Sequence, residues 1–290
     1  MMNFNIIDIK TDSGIADIPE LQQYISLNET QLLHFYEPDI GLFIVESPMV
    51  IERALLAGYE PESFVMIDTL AEEMCRKVWE IIKDRPWSQK EIPVYVADYE
   101  TIASFTGVNI TRGILSVMKR TEPAGISDII SGKKRIAVFD DVENPTNVGA
   151  MFRSAAALGI EAVIIAGTSS DPLYRRASRV SMGTVFQIPW TKTDKNRVRG
   201  ASDYIDILHE AGFKTVAMAL SDDSVNIDDE RIKNEEKLAI ILGNEGFGLS
   251  EEVIRASDYV VKIPMREGVD SLNVAAASSI AFWEITKSKK

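Results

Sequence analysis

The sequence predicts an α/β protein in two parts, with a mostly parallel sheet in its C-terminal half. Three observations carry this. Short apolar, β-branched runs recur downstream of residue 133, and helical patterns follow most of them. The runs are apolar throughout rather than alternating, as strands buried on both faces should be. The stretch Thr121 to Gly132 (TEPAGISDIISG) is rich in small, polar and turn residues and reads as a linker between the parts. With 290 residues and 46 % hydrophobic content, the chain is long enough for two ordinary domains.

In order along the chain, residues 1–40 read as a partly helical leader. Leu42 to Val45 is a strand, and Glu46 to Leu56 a helix with Val50, Ala54 and Leu55 among its apolar positions. Phe64 to Ile67, Val94 to Val96 and Ile114 to Val117 are further strands, with a helix near Leu70 to Ile82. Together with the leader they make a small α/β domain over 1–120. After the linker at 121–132, the second domain covers 133–290. Its strands are Ile136 to Phe139, Ala162 to Ile165, Thr215 to Leu220, Leu238 to Leu242 and Tyr259 to Ile263. Its helices are Asn147 to Leu158, Ala201 to Ala211, Ser250 to Ala256 and Ser271 to Thr286. Ligands of such sheets bind outside the carboxyl ends of the strands, which directs attention to the loops after Phe139, Leu220, Leu242 and Ile263.

Composition narrows the chemistry. The single cysteine, Cys75, cannot form an internal disulfide and reads as a buried structural thiol. One cysteine and two histidines, His34 and His209, cannot supply the usual zinc ligand sets, so no metal site is expected. Neither histidine has a nucleophile-elbow sequence to pair with. No apolar run is long enough to span a bilayer, and Met1 to Lys10 lacks the features of a signal peptide. A reduced, cytoplasmic protein without membrane contact is expected.

The net charge of −13 has the wrong sign for a general nucleic-acid binder. It is unevenly placed: residues 1–120 carry 19 acids and 10 bases, residues 121–290 carry 25 and 21. The second part has basic clusters at Lys133-Lys134-Arg135, at Arg175, Arg176 and Arg179, and at Lys192, Lys195, Arg197 and Arg199. Each is a candidate phosphate contact or an ordinary solvated face.

Three loops stand out. Asp140 to Gly149 leads into a helix, with Asn144 and Pro145 suited to its N-cap and first position, and with Gly149 and Arg153 on one face. Gly243 to Ser250 holds three glycines in six residues directly after a buried strand, which lets backbone approach a ligand. Its G-x-x-G-x-G spacing is neither the dinucleotide fingerprint nor a Walker sequence. Ile263-Pro264-Met265 precedes Ser271-Leu272-Asn273, where Ser271 is a candidate cap for the last helix and Met265 and Leu272 can wall an apolar slot. Singly, each is explained by an ordinary capped helix or tight turn.

In this order the three motifs resemble the SpoU (TrmH) family of RNA 2'-O-ribose methyltransferases, in the SPOUT superfamily. The matching residues are Asn144-Pro-x-Asn147-x-Gly149-x-x-x-Arg153, Gly243-Asn244-Glu245-Gly246-x-Gly248-Leu249, and Ile263-Pro264-Met265 with Ser271-Leu272-Asn273. Asp171-Pro172 to Ser181-Met182-Gly183 is also similar, so the resemblance covers 133–290. Val45-Glu46-Ser47 and Gly113-Ile114-Leu115 resemble the L30e-like substrate-binding domain of many members.

The resemblance implies a trefoil knot in the C-terminal domain, a homodimer, and S-adenosyl-L-methionine bound near Leu220, Gly243, Gly246, Ile263, Met265 and Leu272. It implies Arg153 as the catalytic residue, oriented by Asn147, with Glu245, Ser271 and Asn273 completing the site. The expected reaction is methyl transfer to a ribose 2'-hydroxyl of structured RNA, ribosomal RNA in preference to transfer RNA. Arginine is effectively always protonated, so Arg153 is expected to steady a developing alkoxide rather than act as a literal base. Two other classes are weighed. A dehydrogenase would need a glycine fingerprint after its first strand, where this chain has Asp-Asp-Val-Glu-Asn-Pro. A non-catalytic RNA-binding module would not bind S-adenosylmethionine.

Overall fold

A computed structural model describes residues 3–9, 18–25, 41–106, 112–193, 202–221, 223–268 and 271–287. The chain forms two compact units. One comprises residues 1–122 together with 173–186; the other comprises 123–172 and 187–290.

The first unit is built on a five-stranded mixed sheet. Its strands are β1 (Phe4–Asp8), β2 (Leu42–Glu46), β3 (Pro61–Ile67), β4 (Ile92–Ala97) and β5 (Ile114–Lys119), in the order β1-β4-β3-β5-β2. β1 and β3 pair parallel to β4, whereas β5 runs antiparallel to β3 and β2. The leader is therefore not merely helical: Phe4–Asp8 completes one edge of the sheet. Helix Pro19–Ile25 packs Leu21 and Tyr24 into a cluster with Val65, Tyr95 and Val117. The Tyr24 hydroxyl lies 2.8 Å from Ser63 Oγ and accepts from Val117 N at 3.1 Å. Helix Asp68–Ile82 buries Ala71, Met74, Cys75, Val78 and Ile82, the i, i+3, i+4 stripe of an amphipathic helix. Burial pushes the Cys75 thiol up to about 11, which keeps it protonated and inert.

Ser47 joins β2 to helix Pro48–Leu56 at φ 86°, ψ 146°, a region that suits glycine alone, and its side chain makes no capping bond. Its backbone is fixed on both sides. Ser47 N donates to Ile114 O at 3.1 Å, and its carbonyl accepts from Ile51 N at 3.0 Å. Ser47→Gly is expected to raise the stability of this unit by about 1 kcal/mol, the released strain exceeding the extra entropy of an unfolded glycine. Denaturant unfolding measures it, and a midpoint at or below wild type would show that the serine side chain stabilises the turn.

Residues 173–186 are held to this unit by polar and apolar contacts. Arg175 donates from Nε (3.1 Å) and Nη2 (2.9 Å) to Glu46 Oε2, and Arg179 Nη1 lies 3.5 Å from the same oxygen. Arg53 Nη1 donates to Met182 O at 2.7 Å. Gly183 packs so closely that a Cβ there would lie 3.3 Å from Val50 Cα. Phe186 completes an aromatic trio with Phe43 and Tyr59, with centroids 6.1 and 5.3 Å away.

The second unit is a seven-stranded, wholly parallel sheet. Its strands are β6 (Arg135–Asp140), β7 (Ala162–Ala166), β8 (Trp190–Lys192), β9 (Lys214–Met218), β10 (Val225–Asn226), β11 (Leu238–Leu242) and β12 (Tyr259–Lys262), in the order β10-β12-β9-β11-β6-β7-β8. Every residue of β7 and β11 is buried, as parallel strands covered on both faces require. Ile136 and Val138 face one cluster with Tyr204, Ile205 and Leu208 of helix Asp203–Glu210. On the other face Phe139 meets Phe152 edge-on at 5.5 Å. There helix Pro145–Ala157 packs beside helix Val274–Thr286, and small residues let them approach until Ser154 Oγ and Ser279 Oγ are 2.8 Å apart.

The basic clusters are largely engaged within the protein. Arg135 donates from Nε to Ile285 O (2.9 Å) and from its terminal nitrogens to Glu236 O (2.7 Å) and Glu235 O (3.0 Å), tying the end of the last helix to the base of the sheet. Lys192 pairs with the buried carboxylate of Asp171. Arg175 and Arg179 serve Glu46. Lys195, Arg197 and Arg199, like His34, lie outside the described residues. Among the described residues no helix is long and apolar enough to cross a membrane.

Candidate active site

β6 and β11 are neighbours, with Phe139 opposite Leu242, but the chain leaves them in opposite directions. After β6 it goes to β7 on one side; after β11 it goes beyond β9 to β12 on the other. A sheet reversing in this way opens a crevice at the carboxyl ends of the two strands. Loops 141–144 and 243–250 form its rim, and Asn244 Nδ2 joins them by donating to Asp141 O at 2.9 Å.

Asn144 caps the first of these helices, its Oδ1 accepting from Thr146 N at 2.9 Å, with Pro145 following. The helix buries Asn147 and Gly149 and leaves Arg153 exposed, its guanidinium making no hydrogen bond or ion pair to another described residue. An unpaired guanidinium of this kind suits a phosphate or a developing anion.

The glycine-rich loop folds back on itself. Gly248 N donates to Asn244 O at 3.0 Å, Asn244 N donates to Gly248 O at 3.2 Å, and Asn244 Oδ1 accepts from Gly246 N (2.8 Å) and Phe247 N (3.2 Å). A Cβ on Gly243 would lie 2.7 Å from Gly248 C and Leu249 N, so this glycine is required by the returning strand of its own loop. The closed loop presents Glu245, Gly246 and Phe247 to solvent.

The Glu245 carboxylate accepts a hydrogen bond from Asn147 Nδ2. Asn147 Oδ1 in turn accepts from Asn273 Nδ2 at 3.2 Å. A helix residue thus joins two loop residues 98 and 126 positions further along in one chain of hydrogen bonds, and Asn147 has both ends of its amide engaged. Ser271 is exposed and is not the cap of the last helix. The helix begins at Val274, and Asn273 caps it by accepting from Ala275 N at 2.9 Å. The shorter helix follows from side-chain reach, since Asn273 can accept from an amide two residues ahead.

The remaining candidates sit at neighbouring strand ends. Leu220 lies two residues past β9, which stops at Met218, and is strongly exposed; Ile263 and Met265 follow β12, which stops at Lys262, and are half-buried; Leu272 is 38 % exposed. Apolar side chains left open around a crevice suit the flat faces of an organic cofactor. Two residues that sequence reasoning gave no role are Asp141 and Asn244, the latter quoted only as part of its motif. Their signal was an acidic pair ending a buried strand and an asparagine opening a glycine loop.

The residues match known proteins. The model of the SpoU rRNA methylase family matches residues 134–283. A protein of Mycobacterium bovis described as an uncharacterized tRNA/rRNA methyltransferase is 31 % identical over 276 residues, 94 % of this chain and 90 % of that one. Among solved structures, the AdoMet-bound rRNA methyltransferase of Sinorhizobium meliloti is similar with a TM-score of 0.73 at 23 % identity, covering 98 % of this chain and 97 % of that one. A structure described as an RNA 2'-O ribose methyltransferase is similar with a TM-score of 0.66 at 21 % identity, covering 97 % and 98 %. With the motif residues gathered at the switch point of a parallel sheet, this chain belongs to the SpoU family of RNA methyltransferases.

Proposed function

We propose that the chain transfers a methyl group from S-adenosylmethionine to a ribose 2'-hydroxyl of structured RNA, with ribosomal RNA as the target. The observation that carries this reading is the bonded set Glu245, Asn147 and Asn273 at the crevice, with the unpaired Arg153 on the same helix as Asn147. The family description supports ribosomal RNA as the target, and the similar 2'-O ribose methyltransferase supports the ribose as acceptor. The open apolar side chains Leu220, Ile263, Met265 and Leu272, with backbone of the Gly243–Gly246 turn, are the groups that would hold the cofactor. When bound, it supplies a methyl already activated by a sulfonium, so the protein has to align and to stabilise charge.

Arg153 holds an RNA phosphate and steadies negative charge developing on the 2'-oxygen. The 2'-proton leaves to a phosphate oxygen or to water, since a guanidinium stays protonated. Glu245 is kept at the crevice by Asn147, which Asn273 fixes from its other side. With Arg135, Arg175, Arg179 and Lys192 engaged internally, these four do not supply the phosphate contacts, and an L30e-like first unit adds shape recognition. In this reading the chain acts in the cytoplasm as a homodimer, and its C-terminal part is threaded as a trefoil knot.

Arg153→Ala is expected to retain binding of S-adenosylhomocysteine in calorimetric titration and to lower label transfer from S-adenosylmethionine to RNA by about 100-fold or more. Unchanged transfer removes Arg153 from the catalytic role. Alkaline hydrolysis of the labelled RNA reads the acceptor: label in an alkali-resistant dinucleotide supports the ribose, and label on a base overturns it. Labelling of transfer RNA alone overturns the ribosomal target.

A further inference from the structure

We propose that Asp141 is a positioning residue for methyl transfer, acting by holding the loop that carries Glu245. It is a buried acid in the left-handed conformation, φ 57°, directly after β6. Asparagine and aspartate tolerate that conformation better than other side chains, but it still costs free energy and persists only where the surroundings impose it. Here they do so from two sides. Its amide donates to Ala166 O at 3.2 Å, and its Oδ1 accepts from Thr168 N at 2.7 Å and Thr168 Oγ1 at 2.9 Å. Gly167 supplies the space, since a Cβ there would lie 2.1 Å from Oδ1.

The turned backbone then aims the Asp141 carbonyl at Asn244 Nδ2, 2.9 Å away. That bond leaves Asn244 Oδ1 directed into its own loop, where it receives the amides of Gly246 and Phe247 on either side of the Gly246 residue that follows Glu245. The carboxylate of Asp141 therefore clamps the end of β7, its carbonyl clamps the loop after β11, and Glu245 inherits its place from both. The influence of Asp141 on Glu245 runs through Asn244. The inference rests on the methyl-transfer reading only for its kinetic consequence; the clamp itself is read without substrate.

The test compares Asp141→Gly, which adopts the turn without strain and keeps the carbonyl but loses the grip on Thr168, with Asp141→Asn, which keeps an acceptor for Thr168. In hydrogen exchange of the whole chain, the amides of Gly246, Phe247 and Gly248 are expected to exchange at least ten times faster in Asp141→Gly and within threefold of wild type in Asp141→Asn. In turnover of S-adenosylmethionine with total RNA, Asp141→Gly is expected to lose at least tenfold in kcat, and Asp141→Asn to stay within threefold of wild type. Asn244→Ala should show the same loss, and the double variant should be no slower than Asn244→Ala alone, because both act on one clamp. Unchanged exchange in Asp141→Gly, fully additive losses, or an asparagine variant as impaired as the glycine one overturns the proposal. Should Asp141→Gly fail to fold, Thr168→Val, which removes one of the two donors, takes its place in the exchange measurement, and unchanged exchange there overturns the clamp. Wild-type protein that transfers methyl to no RNA overturns the methyl-transfer reading instead, and the exchange result still decides the clamp.

Discussion

Arg175→Ala is expected to destabilise the first unit by about 3 kcal/mol, the lower end of what breaking a buried ion pair costs. The reason is the asymmetry of the pair. Glu46 is 2 % exposed and cannot turn to water, whereas Arg175 is 22 % exposed. Among the described residues, removing the arginine leaves the carboxylate only the longer contact to Arg179, itself half exposed. Arg179→Ala should cost less than about 1 kcal/mol, as exposed pairs do. Denaturant unfolding of both variants checks the ranking; equal effects would mean that Arg179 swings in to replace its neighbour. The same geometry predicts the behaviour of a cut chain. A fragment of residues 123–290 keeps 173–186 but loses Glu46, Phe43, Tyr59, Val50 and Arg53. Leu173, Ala177, Val185 and Phe186 are then left without their packing partners. The fragment is expected to aggregate or to lack a fixed near-ultraviolet dichroism signal. A soluble fragment with a native-like signal would show that 173–186 needs no partner.

Gly243→Val is expected to abolish most methyl transfer while leaving the sheet intact. Its first side-chain atom would overlap the backbone of Gly248 and Leu249, and backbone held by two mutual hydrogen bonds cannot yield as a side-chain tip can. The loop must open, and Glu245 moves away from Asn147. A displacement of about 1 Å in an aligning group costs about 100-fold in rate, so kcat/KM should fall by at least that factor. Binding of S-adenosylhomocysteine should weaken as well, because the same turn supplies backbone to the proposed cofactor site. Wild-type turnover in this variant would show that the loop functions in an open form. Retained turnover with weakened product binding would assign the loop to the cofactor alone.

Much of the second unit was legible in the amino-acid order. Strands buried on both faces are apolar without alternation, so Leu238–Leu242 and Ala162–Ala166 declare themselves, and Asn144-Pro145 marks a helix start because cap and first turn are local chemistry. The family motifs, short and ordered along the chain, marked Asn147, Glu245 and Asn273 before their meeting was visible. Phe4–Asp8, Trp190–Lys192 and Val225–Asn226 were not legible, since short edge strands depend on a neighbour rather than on their own pattern. The cap of the last helix was misplaced by two residues because Ser271 and Asn273 are both good caps, and side-chain geometry selects between them.

Sequence alone, through three ordered motifs that resemble one family, named the residues of the candidate site, because motif order and residue type survive without any knowledge of contacts. Tertiary structure decided which of those residues meet, which charges remain free and what each glycine is for. Gly243 reads in sequence as room for a ligand or as part of a tight turn, and proves to be room for its own returning loop. Arg135, Arg175 and Lys192 read as phosphate contacts or as solvated charge, and prove to be bound to carbonyls and buried acids. Asp141 carried no local signal beyond its charge. Its partners Thr168 and Asn244 lie 27 and 103 residues away, and long-range hydrogen bonds leave no periodicity in a chain.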